Sequence, residues 1–257
     1  MRLTALLLTL ALCTGCATSI KPVPESSGAG SPLLRFQNSA LTPRNGGQLI
    51  AGDMLQPGDI LLSAANGIPS IGIRLLTLAP VSHASLYVGD QQIVEAVGQG
   101  VRVRRLDEVI GDEAVVAVFR HPELRPEHGE AIRRFAMQNV GKPYDHVGIV
   151  LQAPFSLQRR LCELPLIPEV VRNACLHGIA TIQLGTASND RFFCSQLVLE
   201  SYRQAGLPLT QADPRWVSPA DIMHMRAGDV PAMRTHQSLA YIGHLKFQPE
   251  TTIAQGE

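Results

Sequence analysis

Apolar residues recur with a two-residue period through the first half of the chain and with a helical period after it. Gln56-Pro57-Gly58-Asp59 is turn chemistry leading into Ile60-Leu61-Leu62, the signature of a short buried strand. Residues 67–80 mix apolar and turn residues, with a short helix expected around Ile71 to Leu78. Ser82 to Val88 and Gln91 to Ala96 are rich in strand formers and flank Gly89-Asp90, which predicts a hairpin. Gly100 to Arg104 alternates Val101 and Val103 with arginines, as a half-exposed strand does, and Val115 to Phe119 supplies a further strand.

From Pro126 the period changes. Ala131, Ile132, Phe135, Ala136 and Val140 form one helical stripe, terminated by Gly141 and Pro143. From Val147 to about Leu184 the pattern is helical but irregular, broken at Pro154, Pro165 and Pro168. Cys194, Leu197, Val198, Tyr202 and Ala205 then recur at helical spacing until Gly206 and Pro208 stop them. No internal repeat is present. Strands followed by segregated helices predict an α+β fold rather than a doubly wound sheet.

The N-terminus has a different character. Met1-Arg2 is followed by an uncharged run from Leu3 to Leu12, too short to span a bilayer comfortably but suited to an export signal. The run ends in Leu12-Cys13-Thr14-Gly15-Cys16, which resembles a lipobox, with Cys13 where the pattern usually has leucine. That predicts a signal peptide over 1–15 and lipidation of Cys16; ordinary cleavage near Ala17 is the alternative. Residues 17–32 are rich in Ala, Thr, Ser, Pro and Gly without periodicity. They suggest a tether whose sixteen extended residues would reach roughly 50–55 Å. The expected division is thus 1–15 signal, 16–48 lipidated cysteine and flexible tether, 49–248 catalytic domain with a helical insert over about 147–185, and 249–257 tail.

Composition narrows the function classes. The chain of 257 residues balances 22 basic against 22 acidic side chains, so it lacks the basic field of a non-specific nucleic-acid binder. With 45% hydrophobic and 17% charged residues it is no disordered chain. Beyond the N-terminus, no uncharged apolar run reaches the ~18 residues of a membrane span.

After processing, Cys16, Cys162, Cys175 and Cys194 remain. Exported proteins keep disulfides, and Cys162 and Cys175, thirteen positions apart, are the more natural pair, worth ~3 kcal/mol by the chain-entropy argument. Nearby His177 raises zinc as a competitor, but no fourth ligand follows at a recognisable spacing, so no metal or organic cofactor is expected. Cys194 is left at the start of an amphipathic helix, where unbonded amides and partial positive charge favour a thiolate. A small buried core residue is the bland alternative.

A thiol nucleophile needs a base. Of the eight histidines, His83 in the first hairpin arm is best placed to be held by packing, whereas His121 and His128 lie in polar or turn-like surroundings. Glu95, on the returning arm, is the candidate to orient the imidazole and stabilise its charge. Register tests this pairing. A two-residue Gly89-Asp90 turn would set His83 opposite Ala96 and turn Glu95 to the other face; one extra residue, as a three-residue loop or a bulge, restores them to the same face.

Pro57-Gly58-Asp59-Ile60-Leu61-Leu62 and Ser82-His83-Ala84-Ser85-Leu86-Tyr87-Val88-Gly89 resemble the core of NlpC-type cell-wall cysteine hydrolases, but Phe193-Cys194-Ser195-Gln196-Leu197-Val198 follows them instead of preceding them. That is the circularly permuted papain-like order, and the chain resembles the YaeF/YiiX group. Gly141-Lys142-Pro143-Tyr144-Asp145 and Trp216-Val217-Ser218-Pro219-Ala220-Asp221-Ile222-Met223 match as well; 223–230 and 241–246 are similar to YaeF-type lipoproteins in particular. The resemblance implies an antiparallel sheet packed against the nucleophile-bearing helix, with Cys194 as nucleophile, His83 as base and Glu95 as third residue. Tyr144 and Tyr87 are expected to line the substrate pocket.

The expected function is a cysteine peptidase or amidase acting on a cell-wall peptide amide. It would be carried by an outer-membrane lipoprotein facing the periplasm, since Ala17 rather than aspartate follows Cys16. A lipid thioesterase or acyltransferase using the same Cys–His pair is one alternative, and a non-catalytic ligand-binding lipoprotein is another.

Overall fold

The computed structural model describes residues 18–21, 33–38, 48–65, 80–144, 162, 167, 171–172, 174–175 and 192–247. Within the stretch expected to be a flexible tether, strand β1 (Thr18–Lys21) pairs antiparallel with β2 (Leu33–Phe36), so this part of the chain folds back on itself. Four-residue strands are too short to register as a period in the sequence.

The remaining strands are β3 (Ile60–Ala65), β4 (His83–Gly89), β5 (Gln92–Val97), β6 (Gly100–Arg105), β7 (Glu113–Arg120) and β8 (Ala240–Phe247). They form one antiparallel sheet in the order β6-β5-β4-β3-β7-β8. Strand alternation splits its side chains into two cores. Ile60, Leu62, Ala84, Leu86, Val94, Ala96 and Phe119 pack on one face with Leu197, Val198 and Tyr202. Leu61, Tyr87, Ile93, Val116 and Val118 occupy the other with Leu106 and Val109 of helix α1 (Leu106–Asp112). Covering both faces explains why β3, near the middle of the sheet, reads as an unbroken apolar run. Each large side chain so buried is worth about 1.5–3 kcal/mol. Helix α1 is too brief for its period to stand out in the sequence.

Helix α2 (Pro126–Gln138) crosses the first core with Ile132 and Ala136 buried. Gly129 lets it lie against the preceding turn: a Cβ there would sit 2.5 Å from the Pro57 carbonyl oxygen. The helix stops at Gln138, so Val140, placed in the apolar stripe by its spacing, falls past the end and is 39% exposed.

The Pro57-Gly58-Asp59 turn carries more than a change of direction. Buried Asp59 receives both Nε (2.6 Å) and an NH2 group (2.7 Å) of Arg120 and the Gln56 amide (2.8 Å). The Gly58 carbonyl accepts the Tyr202 hydroxyl at 2.5 Å, tying helix α3 (Cys194–Gln204) to the sheet.

The signal over 1–15, Cys16, the short helix around Ile71 to Leu78, most of the 147–185 insert and the tail over 249–257 lie outside the described residues. Of the insert, Cys162 and Cys175 are joined in a disulfide, with Cα atoms 5.7 Å apart. Among the described residues, no helix is long and apolar enough to cross a membrane.

Candidate active site

Cys194 is the first residue of α3, and it is the free cysteine among the described residues. The first turn of the helix is fixed by its neighbour: the Ser195 hydroxyl donates to the Val217 carbonyl at 2.5 Å. That carbonyl precedes Ser218, whose reciprocal capping box with Asp221 starts helix α4 (Pro219–His224). Together with Tyr202 on Gly58, these bonds hold α3 at both ends. The Trp216–Met223 motif thus serves to position the cysteine.

The hairpin contains the extra residue that the pairing of His83 with Glu95 requires. The turn lies at Asp90-Gln91, one residue beyond the expected Gly89-Asp90, and both residues have positive φ (53° and 55°) as a type I′ turn demands. Gly89 pairs with Gln92, but Tyr87 pairs with Ile93, so the ladder shifts between them. Below this bulge Ser85 faces Glu95, and alternation returns His83 and Glu95 to one face.

There the His83 Nε2 lies 2.8 Å from Glu95 Oε2, and the His83 ring is hydrogen-bonded to the Cys194 thiol. With Nε2 taken by the carboxylate, Nδ1 is left for the sulfur. The three side chains are well enclosed, at 6% exposure for Cys194, 19% for His83 and 3% for Glu95. Burial disfavours charge on each, yet their mutual bonds prevail. His83 is raised to about 10 against the cost of burial by its bonds to Cys194 and Glu95. Glu95 is lowered to about 2 against the same cost by His83 and Arg102. Burial pushes the Cys194 thiol up, but the His83 bond and charge and the amides of Ala84 and Ser195 bring it below its ordinary value. Each partner therefore favours the charged form of the other.

Several residues at this site did not stand out in the sequence. Glu95 Oε1 accepts Arg102 Nε at 2.8 Å, with Arg104 NH1 at 3.6 Å. Both arginines had the spacing of an exposed strand face. The clue lay in the two-residue Gly98-Gln99 loop, which sets Arg102 directly opposite Glu95. Glu113 is hydrogen-bonded to Ser63, and Ser63 pairs with His83 across β3 and β4. Burial above all holds the Glu113 carboxyl above the usual range, with His83 pulling the other way.

The two tyrosines separate. Tyr144 forms a backbone bridge with Phe192, two residues before Cys194, and so flanks the approach to the helix. Tyr87 does not join the site: it is 5% exposed inside the second core, with its hydroxyl accepting the Gln91 amide. Its place on the strand puts it beneath the hairpin turn. A cavity of about 300 Å³ opens farther along α3, lined by Leu199, Arg203, Leu209, Thr210 and Trp216, and none of Cys194, His83 or Glu95 contributes to it. Among the described residues, no cluster of three or more His, Cys, Asp or Glu side chains is arranged to hold a metal.

Residues 54–150 match a family described as permuted papain-like amidase enzyme, YaeF/YiiX, C92 family. The chain is also 36% identical, over 244 residues, to the probable lipoprotein peptidase YaeF of Escherichia coli (strain K12), covering 91% of this chain and 89% of that protein. The chain belongs to the YaeF/YiiX family. It is accordingly a hydrolase of the peptidase or amidase type on a permuted papain-like α+β fold. A solved structure titled as the metalloprotein YiiX from Escherichia coli O157:H7 aligns with 76% of this chain and 98% of its own, at 20% identity and a TM-score of 0.44. In this YaeF/YiiX chain the family match covers the histidine hairpin, whereas Cys194 lies beyond its end.

Proposed function

We propose that the protein is a lipid-anchored envelope enzyme that hydrolyses an amide in cell-wall peptides by nucleophilic catalysis. The continuous relay from Cys194 through His83 to Glu95 carries this reading. The thiolate attacks the amide carbonyl carbon, and the carbonyl electron pair moves onto oxygen. The Cys194 backbone N–H, at a helix start where amides lack helical acceptors, donates to that oxygen. Collapse of the adduct breaks the C–N bond as His83 passes its Nδ1 proton to the departing amine. A water then gives its proton to His83 and attacks the thioester, releasing the acid and restoring the thiolate. Glu95 stays ionised throughout and holds the ring through Nε2–H.

Acylation at Cys16 anchors the body, and the export signal before it supports an envelope location; a relative named as a probable lipoprotein peptidase agrees. Ala17, where an aspartate would retain the protein elsewhere, favours the outer membrane with the body in the periplasm.

The test is iodoacetamide alkylation of the full chain across a pH series. Wild type is expected to alkylate well below the ~8.5 of an ordinary thiol, and His83→Ala to return to that range, about 10²-fold slower near pH ~6. Equal rates and an unshifted profile would reject the activated thiol. Incubation of wild type and Cys194→Ser with wall fragments and acyl lipids, followed by mass analysis, identifies the bond. Cleavage confined to the lipids would transfer the assignment to a thioesterase or acyltransferase. Unchanged membrane retention of Cys16→Ser would reject the anchor.

A further inference from the structure

We infer that the N-terminal ribbon clamps the catalytic body directly against the phospholipid headgroups of the membrane holding its anchor, with the surface around Arg226 and Asp229 facing the lipid. This rests on acylation at Cys16. Thr18 pairs with Phe36 across the ribbon. Two residues past Phe36, the Asn38 amide donates to Asp229 Oδ1 at 2.8 Å, and the Asn38 carbonyl accepts from an Arg226 NH2 group. The clamp is itself braced: the Asp229 carboxylate, 1% exposed, also accepts His224 Nδ1 at 3.0 Å, Arg226 Nε at 3.1 Å and the Val230 amide at 2.8 Å.

Cys16 stands two residues before Thr18, at most ~7 Å; the strand pair adds ~5 Å, and Phe36 to Asn38 another ~7 Å. The acylated residue is thus within about 20 Å of the clamp, where an unpaired chain of the same length would allow ~75 Å. A tether expected to let the body stand off instead returns its lipid end to the body. Bonds within one body's depth of the bilayer are then the ones the enzyme can reach.

Acylated full-length protein in phosphatidylethanolamine–phosphatidylglycerol vesicles doped with dansyl-phosphatidylethanolamine tests this. Trp216 is the single tryptophan and the energy donor. Wild type is expected to show strong transfer. A Gly/Ser segment of about twenty residues between Ala17 and Thr18, adding ~25 Å of coil, is expected to reduce it at least twofold. Asp229→Ala, which removes the acceptor of the Asn38 amide, is expected to move toward the extended variant; should it not fold, the insertion leaves the body's sequence intact. Equal transfer from vesicle-bound wild type and insertion variant would overturn the inference while leaving the anchor standing. Wild type that fails to sediment with vesicles, or sediments no better than Cys16→Ser, would overturn acylation and the inference with it.

Discussion

Among the described residues, two histidines pair with carboxylates, and of these two pairs one adjoins a thiol. His83 meets Glu95 at 2.8 Å, and His224 meets Asp229 at 3.0 Å; both carboxylates are buried and both take an arginine. At Asp229 the other partners are the backbone amides of Asn38 and Val230, so the pair fastens chain to chain. At Glu95 the histidine turns its second nitrogen to Cys194. An imidazole beside a carboxylate is therefore a stabilising unit that many folds use. What stands on the far side of the ring decides whether it becomes chemistry.

The sharpest way to break the contrast is to remove the sulfur. Cys194→Ser is expected to lower hydrolysis of the bond found with wall fragments by about 10⁴-fold or more, with thermal unfolding little changed. Exchanging the roles of the histidines comes next. His83→Gln is expected to cost about 10³-fold in turnover. His224→Gln should leave Cys194 alkylation unaltered but lose about 1–3 kcal/mol in denaturant unfolding, because it strips a bond from a buried carboxylate. If both variants lose turnover alike, the distinction fails. Glu95→Gln should reduce turnover by about 10²-fold and raise the acid limb of the alkylation profile.

A smaller effect lies in pH-dependent stability. The folded His83 is raised from 6.5 to about 10, so its partners' contribution is complete below 6.5 and is lost as pH rises through about 10. The folded Glu95 is lowered from 4.5 to about 2, so its contribution is present above 4.5 and is lost as pH falls through about 2. The stability gap between wild type and His83→Gln in urea should accordingly close toward alkaline pH, and that for Glu95→Gln only in strong acid. The smallest change is expected of Arg102→Gln. Its side chain is 40% exposed, so a loss of only a few-fold in turnover is expected.

Much of this was legible in the residues. The runs at Ile60-Leu61-Leu62, Ser82 to Val88 and Val115 to Phe119 declared strands because two covered faces leave little room for polar positions. The requirement for one extra hairpin residue could be stated before its location was known, since parity alone imposes it. Other features were not legible because they are long-range. Arg102 looked solvent-facing until the β5–β6 register set it on Glu95. Val140 kept a helical spacing after the helix had ended. Tyr87 shared a motif and a strand face with His83, yet four residues farther along its ring is buried in the second core beneath the hairpin turn. The β1–β2 ribbon had no period to read, and the Asn38–Asp229 bond joins positions 191 residues apart.

The bulge beside Tyr87 also restricts how this hairpin can diverge. Surface turns ordinarily gain and lose residues with little penalty. Here a single deletion would reverse which side of the ribbon Glu95 occupies relative to His83, whereas a matched change of two would keep them together. Length variation in this loop should therefore accumulate only in even steps among descendants that retain the chemistry.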